Sequence, residues 1–316
     1  MKEKLIDSIK VIFKFKILLI LFFLILNKNT TALENRILVK VDNKLITSID
    51  IYNQSRYLTI LDPDLKKFGD NQIFELSKNI LIKEKIKKIE LEKQKIDMDI
   101  KDEKLNSYVN SIFKSKKIYS VSDYRDFINS MDFNYEQMRE KLVIEFLWNN
   151  LIFKKYSSNI KIDRNELKEL VKNKKINSYL LSEIVFDAKN KGEINERYQK
   201  IKLDIDNQGF KKAALIHSVA SSASNGGNIG WIKENSLNKK ILEVVNKLEV
   251  NKYSNPISLP GGFLVVMLKD KKSVTSNLDP EKELNSLVQF KTNQQLNQFS
   301  SMYFNKVKKE IQINEL

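Results

Sequence analysis

The chain has 316 residues and a formal net charge of +15, with one histidine and no cysteine. Without cysteine it has no disulfides and no thiol chemistry, and an isolated histidine excludes a Ser/His/Asp triad and a metal cluster. We therefore expect no cofactor and no metal. Only six of the 55 basic residues are arginine, and the lysines are spread along the chain. This distribution argues against nucleic-acid binding, although the charge can attract acidic surfaces.

The N-terminus has the pattern of a secretory signal peptide. Lysines precede an uncharged apolar run at 17–26, and the small residues Thr30-Thr31-Ala32 follow. This pattern predicts a signal peptide over 1–32 and a periplasmic mature chain. The apolar run is short of the roughly 20 residues that a membrane span needs. The alternative is an uncleaved anchor that holds the chain on the inner membrane, facing the periplasm.

Residues 33–175 are predicted to form an α-helical domain fronted by a hairpin. Apolar residues alternate over 37–47 around an Asp42-Asn43 turn, and Ser48 is expected to cap the first helix. Helical periodicity then predicts six helices, at 49–60, 71–94, 102–114, 122–130, 135–157 and 164–173.

The periodicity changes after about residue 176. Strands are predicted at 178–186 and 262–269, helices at 193–206 and 210–219. Six of the eight glycines lie within 209–262, where positive φ or close chain approach is concentrated. A phosphate loop is excluded there, because the strand, helix and Lys-Ser/Thr setting is missing. These features predict a compact α+β domain over 176–272.

The last segment, 273–316, is expected to pack on the N-terminal domain. After a polar stretch at 272–279, Asp279-Pro280 starts a helix that runs to about Lys309. The alternating residues 310–315 predict an edge strand that pairs with 37–41. The predicted fold class is multidomain α and α+β.

Four segments together resemble SurA-type periplasmic chaperones, which combine a helical domain, parvulin-type prolyl isomerase domains and a C-terminal helix. The hairpin and first helix at 37–60 resemble the opening of that family. Leu-Ser-Glu-Ile-Val-Phe at 181–186 is similar to the first parvulin strand, and Gly-Gly-Asn-Ile-Gly-Trp at 226–231 to its glycine turn. Asn-Pro-Ile at 255–257, with 261–265, resembles the closing strand.

The resemblance also locates a candidate site. Active parvulins place two histidines, a cysteine or aspartate, and a hydroxyl around a pocket for proline. The family positions of these four groups are occupied here by Glu183, Leu264, Ala220 and Leu259. We therefore assign no catalytic residue; Glu183 is alternatively a structural replacement that pairs with a lysine.

Apolar walls and one histidine complete the list of candidates. Ile229, Leu237 and Ile241 match the positions that grip the proline ring, with ordinary core packing as the alternative. The lone histidine, His217, matches no family catalytic position and is expected to be a partly buried helix residue.

The resemblance implies a chaperone that binds unfolded outer-membrane proteins or other periplasmic polypeptides, with a degenerate parvulin domain and no small-molecule substrate. The alternatives are an active prolyl isomerase and a membrane-tethered folding factor. Apolar helix residues are candidate client contacts or, alternatively, core residues. They are Met138, Leu142, Phe146, Trp148, Met302, Tyr303 and Phe304.

Overall fold

The computed structural model describes residues 35–171, 175–188, 190–259, 262–275 and 279–316. The predicted signal segment, 1–32, lies outside these residues. Within the described ranges, no helix has the length and apolar character needed to cross a membrane.

The predicted hairpin consists of strands β1 (Ile37–Val41) and β2 (Lys44–Thr47). Helix α1 (Ser48–Leu61) follows, and its N-cap is Thr47, so the prediction of Ser48 as the cap is wrong. Thr47 still has the extended backbone of β2, which a cap residue requires. Its hydroxyl accepts a hydrogen bond from Asp50 N at 3.2 Å, and the Asp50 carboxylate accepts one from Thr47 N at 2.8 Å. The Ser48 hydroxyl instead accepts from Arg36 N.

Five more helices complete the N-terminal region, close to their predicted bounds. They are α2 (Asp70–Lys93), α3 (Asp102–Phe113), α4 (Val121–Ser130), α5 (Tyr135–Tyr156) and α6 (Arg164–Leu170). Asp163 caps α6, and its carboxylate accepts from two backbone N–H groups of the first turn.

The second region is a sheet with helices on both faces. Its elements are β3 (Lys175–Phe186), α7 (Lys191–Gln208), α8 (Phe210–His217), β4 (Asn228–Lys233), α9 (Lys239–Lys247), β5 (Lys252–Tyr253), β6 (Ile257–Leu259) and β7 (Gly262–Thr275). The strand order is β4-β3-β7-β5, and β6 also pairs with β7. All of its described strand pairs are antiparallel.

Three elements and one strand end differ from the sequence prediction. The elements β4, β5 and α9 were not predicted. Strand β7 continues to Thr275, opposite Lys175, where a polar stretch was expected from residue 272. The hydrogen bonds of the β3–β7 ladder hold this polar end in strand conformation, which the alternation of apolar residues does not reveal.

The chain ends on helix α10 (Pro280–Lys308) and strand β8 (Ile313–Glu315). β8 pairs antiparallel with β1, with Val41 opposite Ile313, so the predicted pairing of the two segments is confirmed. The inner side of α10 is buried in the N-terminal core, where the rings of Trp148 and Tyr303 lie 5.6 Å apart. The chain is thus a multidomain α and α+β protein.

Helix α8 contacts the N-terminal helices directly. Leu215 packs in a small apolar cluster with Leu58, Leu65 and Leu76. The Lys211 ammonium lies 2.6 Å from an Asp62 carboxylate oxygen. The sheet region is therefore held against α1 and α2 by both apolar and charged contacts.

Candidate functional site

The candidate site is built around the loop that joins α8 to β4. The fully buried Ser218 starts this loop. Its hydroxyl accepts hydrogen bonds from Val185 N at 3.0 Å and from Ala220 N at 3.3 Å. Val219 N donates to the Val185 carbonyl at 2.7 Å. These bonds hold the start of the loop along the end of β3.

Gly227 closes the same loop against β3. Its φ is +74°, and a Cβ added there would lie 2.2 Å from the Glu183 carbonyl oxygen. Glu183 N in turn donates to the Gly227 carbonyl at 2.7 Å. Only glycine combines this backbone conformation with so close an approach.

Glu183 is the polar member of the four family catalytic positions. Its side chain lies on the same face of β3 as those of Leu181 and Val185. Both of these pack in the apolar cluster beneath α9. Ser222 Oγ donates to its carboxylate at 2.8 Å. Burial raises the pKa of this carboxyl, and the Ser222 hydrogen bond partly opposes that rise. Its identified partner is thus a hydroxyl and not the lysine considered from the sequence.

The remaining candidates, apart from Ala220, share one apolar cluster. Leu264, Ile241 and Leu237 are only 3%, 5% and 8% exposed, whereas Ile229 and Leu259 are partly exposed. The fold therefore brings together the three residues predicted to grip proline and the two leucines. Their role in gripping a proline ring stays a prediction.

Ala220 lies at the start of the 3-10 turn Ser221–Asn225 and is partly exposed. The arrangement as a whole is an apolar surface bordered by one carboxyl and one hydroxyl. It can bury an apolar ring, but Ala220, Leu259 and Leu264 offer no side-chain hydrogen bond. Within the described ranges, no group of three or more His, Asp or Glu side chains is arranged to hold a metal ion.

His217 lies outside this cluster. It is half-buried at the end of α8, and its Nε2 is 2.6 Å from an Asp204 carboxylate oxygen. It borders a polar cleft of about 310 Å³ that also includes Phe186 and Arg197. The expectation of a partly buried helix residue is confirmed.

The candidate client contacts are mostly core residues. Of the seven, the buried side chains are Met138, Leu142, Trp148, Tyr303 and Phe304. Phe146 is partly buried, and Met302 is 42% exposed. The core alternative therefore holds for five of them, because each helix must bury one face.

Sequence reasoning missed the residues that hold the loop. Ser222, Ser218 and Lys83 were not singled out; the Lys83 ammonium donates to the Ser218 carbonyl at 2.9 Å. The serines lie in the stretch 218–225, where the many hydroxyls beside a glycine turn were an available signal. Nothing near Lys83 in the sequence indicates a contact 135 positions away.

Comparison with known proteins assigns the sheet region to a family. Residues 176–270 match the Rotamase model, described as a PPIC-type PPIASE domain. Chaperone SurA of Pseudomonas putida is 23% identical over 194 residues, which are 57% of this chain and 44% of that protein. Foldase protein PrsA of Geobacillus kaustophilus is 31% identical over 147 residues, which are 46% of this chain and 50% of that protein.

A solved SurA-like chaperone structure from Campylobacter jejuni covers 89% of this chain and 99% of that chain, with 18% identity and a TM-score of 0.35. The chain spans about half the length of the curated relatives it matches. The family match coincides with the sheet region whose loop and apolar cluster are described above. Residues 176–270 therefore match a parvulin-type domain of the Rotamase family, and the chain is similar to Chaperone SurA over about half its length.

Proposed function

We propose that this protein is a periplasmic chaperone that binds unfolded outer-membrane proteins or other periplasmic polypeptides. In this proposal its parvulin domain binds prolyl segments and does not isomerise them. The main observation behind this proposal is that three of the four family catalytic positions hold apolar side chains. They are Ala220, Leu259 and Leu264. The relatives named Chaperone SurA support a chaperone role, and a relative named Periplasmic chaperone PpiD supports a periplasmic location.

The loss of polar groups has a direct chemical consequence. Rotation about an X-Pro bond crosses a barrier of roughly 20 kcal/mol, and a catalyst must favour the twisted amide over the planar one. Fixed hydrogen-bond donors and charges do this in a dry site. Each 1.4 kcal/mol of transition-state stabilisation that the site does not supply lowers the rate about tenfold. An apolar surface without those groups binds both planar isomers and leaves the barrier high.

Binding makes smaller demands than catalysis. Ile229 and Leu259 are partly exposed beside the buried side chains of the apolar cluster. A proline ring needs apolar walls and a few polar groups for orientation. The domain therefore retains what a weak binding module for extended chains requires.

An active isomerase is the second candidate function, and the Glu183–Ser222 pair favours it. The pair places one carboxyl and one hydroxyl beside the apolar surface, 2.8 Å apart. A carboxyl whose pKa is raised by burial retains a proton more readily and can then donate a hydrogen bond. In this alternative, the pair replaces the usual polar groups of the family.

An aggregation assay and an isomerisation assay on the same protein separate the two candidates. The first follows light scattering by an unfolded outer-membrane protein after dilution from urea. The second follows isomerisation of a proline-containing tetrapeptide. We expect suppression of scattering and no acceleration of isomerisation.

The substitution Ile229→Asp tests the site, because it puts a charge on the apolar surface. Its matched control is Leu203→Asp on α7, where the side chain is 61% exposed. A wild-type isomerisation rate that is lost in Ile229→Asp and kept in Leu203→Asp would establish the isomerase instead.

A further inference from the structure

A single lysine links the helical region to the loop of the parvulin site. Lys83 lies on α2, and its ammonium donates to the Ser218 carbonyl of the parvulin domain at 2.9 Å. Ser218 is 0% exposed and follows directly on α8. Lys83 therefore contacts the parvulin domain at Ser218, where the loop between α8 and β4 begins.

Ser218 passes this contact on through its other hydrogen bonds. Its hydroxyl holds the N–H groups of Val185 and Ala220, and Ala220 starts the turn that carries Ser222. Ser222 in turn donates to Glu183. Three hydrogen bonds and the short backbone segment 218–222 therefore connect Lys83 to the polar pair of the site.

The surroundings of Lys83 make this contact a specific one. Burial, and secondarily the charges of Lys87 and Lys308, lower the pKa of its amine to about 8, while Glu145 opposes the shift. These groups lie on α2, α10 and α5. Helix α8, which also packs on α2, carries His217 beside Ser218, where its ring pairs with Asp204. A partly desolvated cation needs a strong acceptor, and a hydrogen bond from an ammonium is stronger than a neutral one.

We propose that Lys83 is a positioning residue of the parvulin site, through which the helical region holds the loop 218–225 against β3. The proposal deepens the proposed function, because it assigns to the helical region control over the shape of the prolyl-binding surface. As a positioning residue, Lys83 makes no contact with a prolyl peptide in this proposal. It acts through Ser218.

Another interdomain lysine provides a matched control. Lys212 on α8 lies 3.3 Å from Gln72 Oε1, and its ammonium is 4.1 Å from the centre of the Phe68 ring. Lys212→Met therefore weakens docking of the domains without removing a bond to the loop. Lys83→Met removes the bond to Ser218 and keeps the length of the side chain.

Hydrogen exchange and methyl NMR of the full chain test the proposal. In Lys83→Met we expect the Val185 and Ala220 amides to exchange at least about tenfold faster, since a charge-assisted hydrogen bond is lost. The methyl signals of Ala220 and Ile229 should shift. Lys212→Met should leave both observables as in wild type. Equal effects of the two variants, or no effect of Lys83→Met, would overturn the proposal.

A pH titration of the wild type tests the same point without a substitution. The Ala220 methyl signal should move with a midpoint near the Lys83 pKa of about 8, because the neutral amine is a weaker donor. The movement should be absent in Lys83→Met. A movement that persists in the variant does not come from Lys83 and contradicts the proposal.

Addition of a proline-containing tetrapeptide to the same samples tests the proposed function separately. Wild-type shifts at Ile229 with peptide support prolyl binding, and their absence counts against it. The response of Ala220 to Lys83→Met needs no peptide. The two proposals therefore fail in different ways.

Discussion

Glu183 combines a buried position with an ionisable side chain. Its carboxyl shares the buried face of β3 with Leu181 and Val185, and its pKa is raised above the usual range of glutamate by burial. A raised folded-state pKa means that this residue's stabilising contribution is complete below the unfolded pKa, about 4.5. The contribution is lost as pH rises through the folded-state pKa.

Glu183→Gln should remove this pH dependence. The amide keeps the size of the side chain and still accepts from Ser222, but it has no charged form to desolvate. The variant should therefore be more stable than wild type at pH 8, and the difference should shrink toward pH 4. Fluorine NMR of fluorotryptophan-labelled protein in urea measures this at Trp231, which lies in the parvulin domain. A stability difference that is independent of pH would refute it.

Gly227 offers a second test at the scale of one residue. Gly227→Ala combines a positive φ with a Cβ 2.2 Å from the Glu183 carbonyl oxygen. Gly230→Ala is the matched control, since Gly230 has a φ of +77° and no atom within 4 Å of the added Cβ. We expect the control to cost about 1–2 kcal/mol of stability and Gly227→Ala clearly more. Equal losses in urea unfolding would show that the close approach carries no cost.

Among the elements, those with long or sharply bounded patterns could be predicted from the sequence. α2 and α5 repeat their apolar residues over several turns, and the proline at Pro280 indicates the start of α10. Helix α9 has only nine residues and was missed, although Asn238 followed by Ile241 and Val245 is a cap and an apolar face. A short helix has too few turns for its apolar periodicity to be distinguished from that of a strand or a loop.

The candidate site was predictable only in part. The glycine turn and the apolar walls lie in short, recognisable segments, so their positions could be assigned. The contacts that define the polar pair and the loop join residues 39 and 135 positions apart. The first pairing depends on how the loop closes on β3, and the second on how α8 packs against α2. No local pattern encodes either.

The last helix and strand belong, in our proposal, to the folding unit of the N-terminal region. We propose that the helical region 33–175 and α10 with β8, from 273–316, form one unit. The sheet region 176–272, together with the end of β7 up to Thr275, is then inserted as a second unit. The shared core, which includes Trp148 and Phe304, supports this division, as does the pairing of β1 with β8.

Phe304→Ala tests this division of the chain. The substitution removes a side chain that is 7% exposed and should cost about 3–5 kcal/mol in the N-terminal unit. Met302→Ala is the control on the exposed side of the same helix. The fluorotryptophan signal of Trp148 should report the loss in urea, and that of Trp231 should not. Parallel changes at both tryptophans would contradict two separate units.

At the scale of the whole molecule, the two proposed units contact each other at two places. One contact involves α8 of the parvulin domain, and the other involves α10 of the N-terminal unit. Lys211 pairs with Asp62 at 2.6 Å, and Lys233 pairs with Glu283 at 2.5 Å. A parvulin domain held in this way presents its apolar cluster in a fixed relation to the helical region. Under the proposed function, such an arrangement would let several weak contacts with one extended polypeptide act together.

The most direct test of this account is exchange NMR of a proline-containing tetrapeptide mixed with the full chain. One sample reports the rate of cis-trans exchange from the peptide signals and binding from the Ile229 methyl signal of the protein. We expect the Ile229 signal to shift on binding while the exchange rate stays at its uncatalysed value. Exchange accelerated by the wild type and abolished in Ile229→Asp would contradict it.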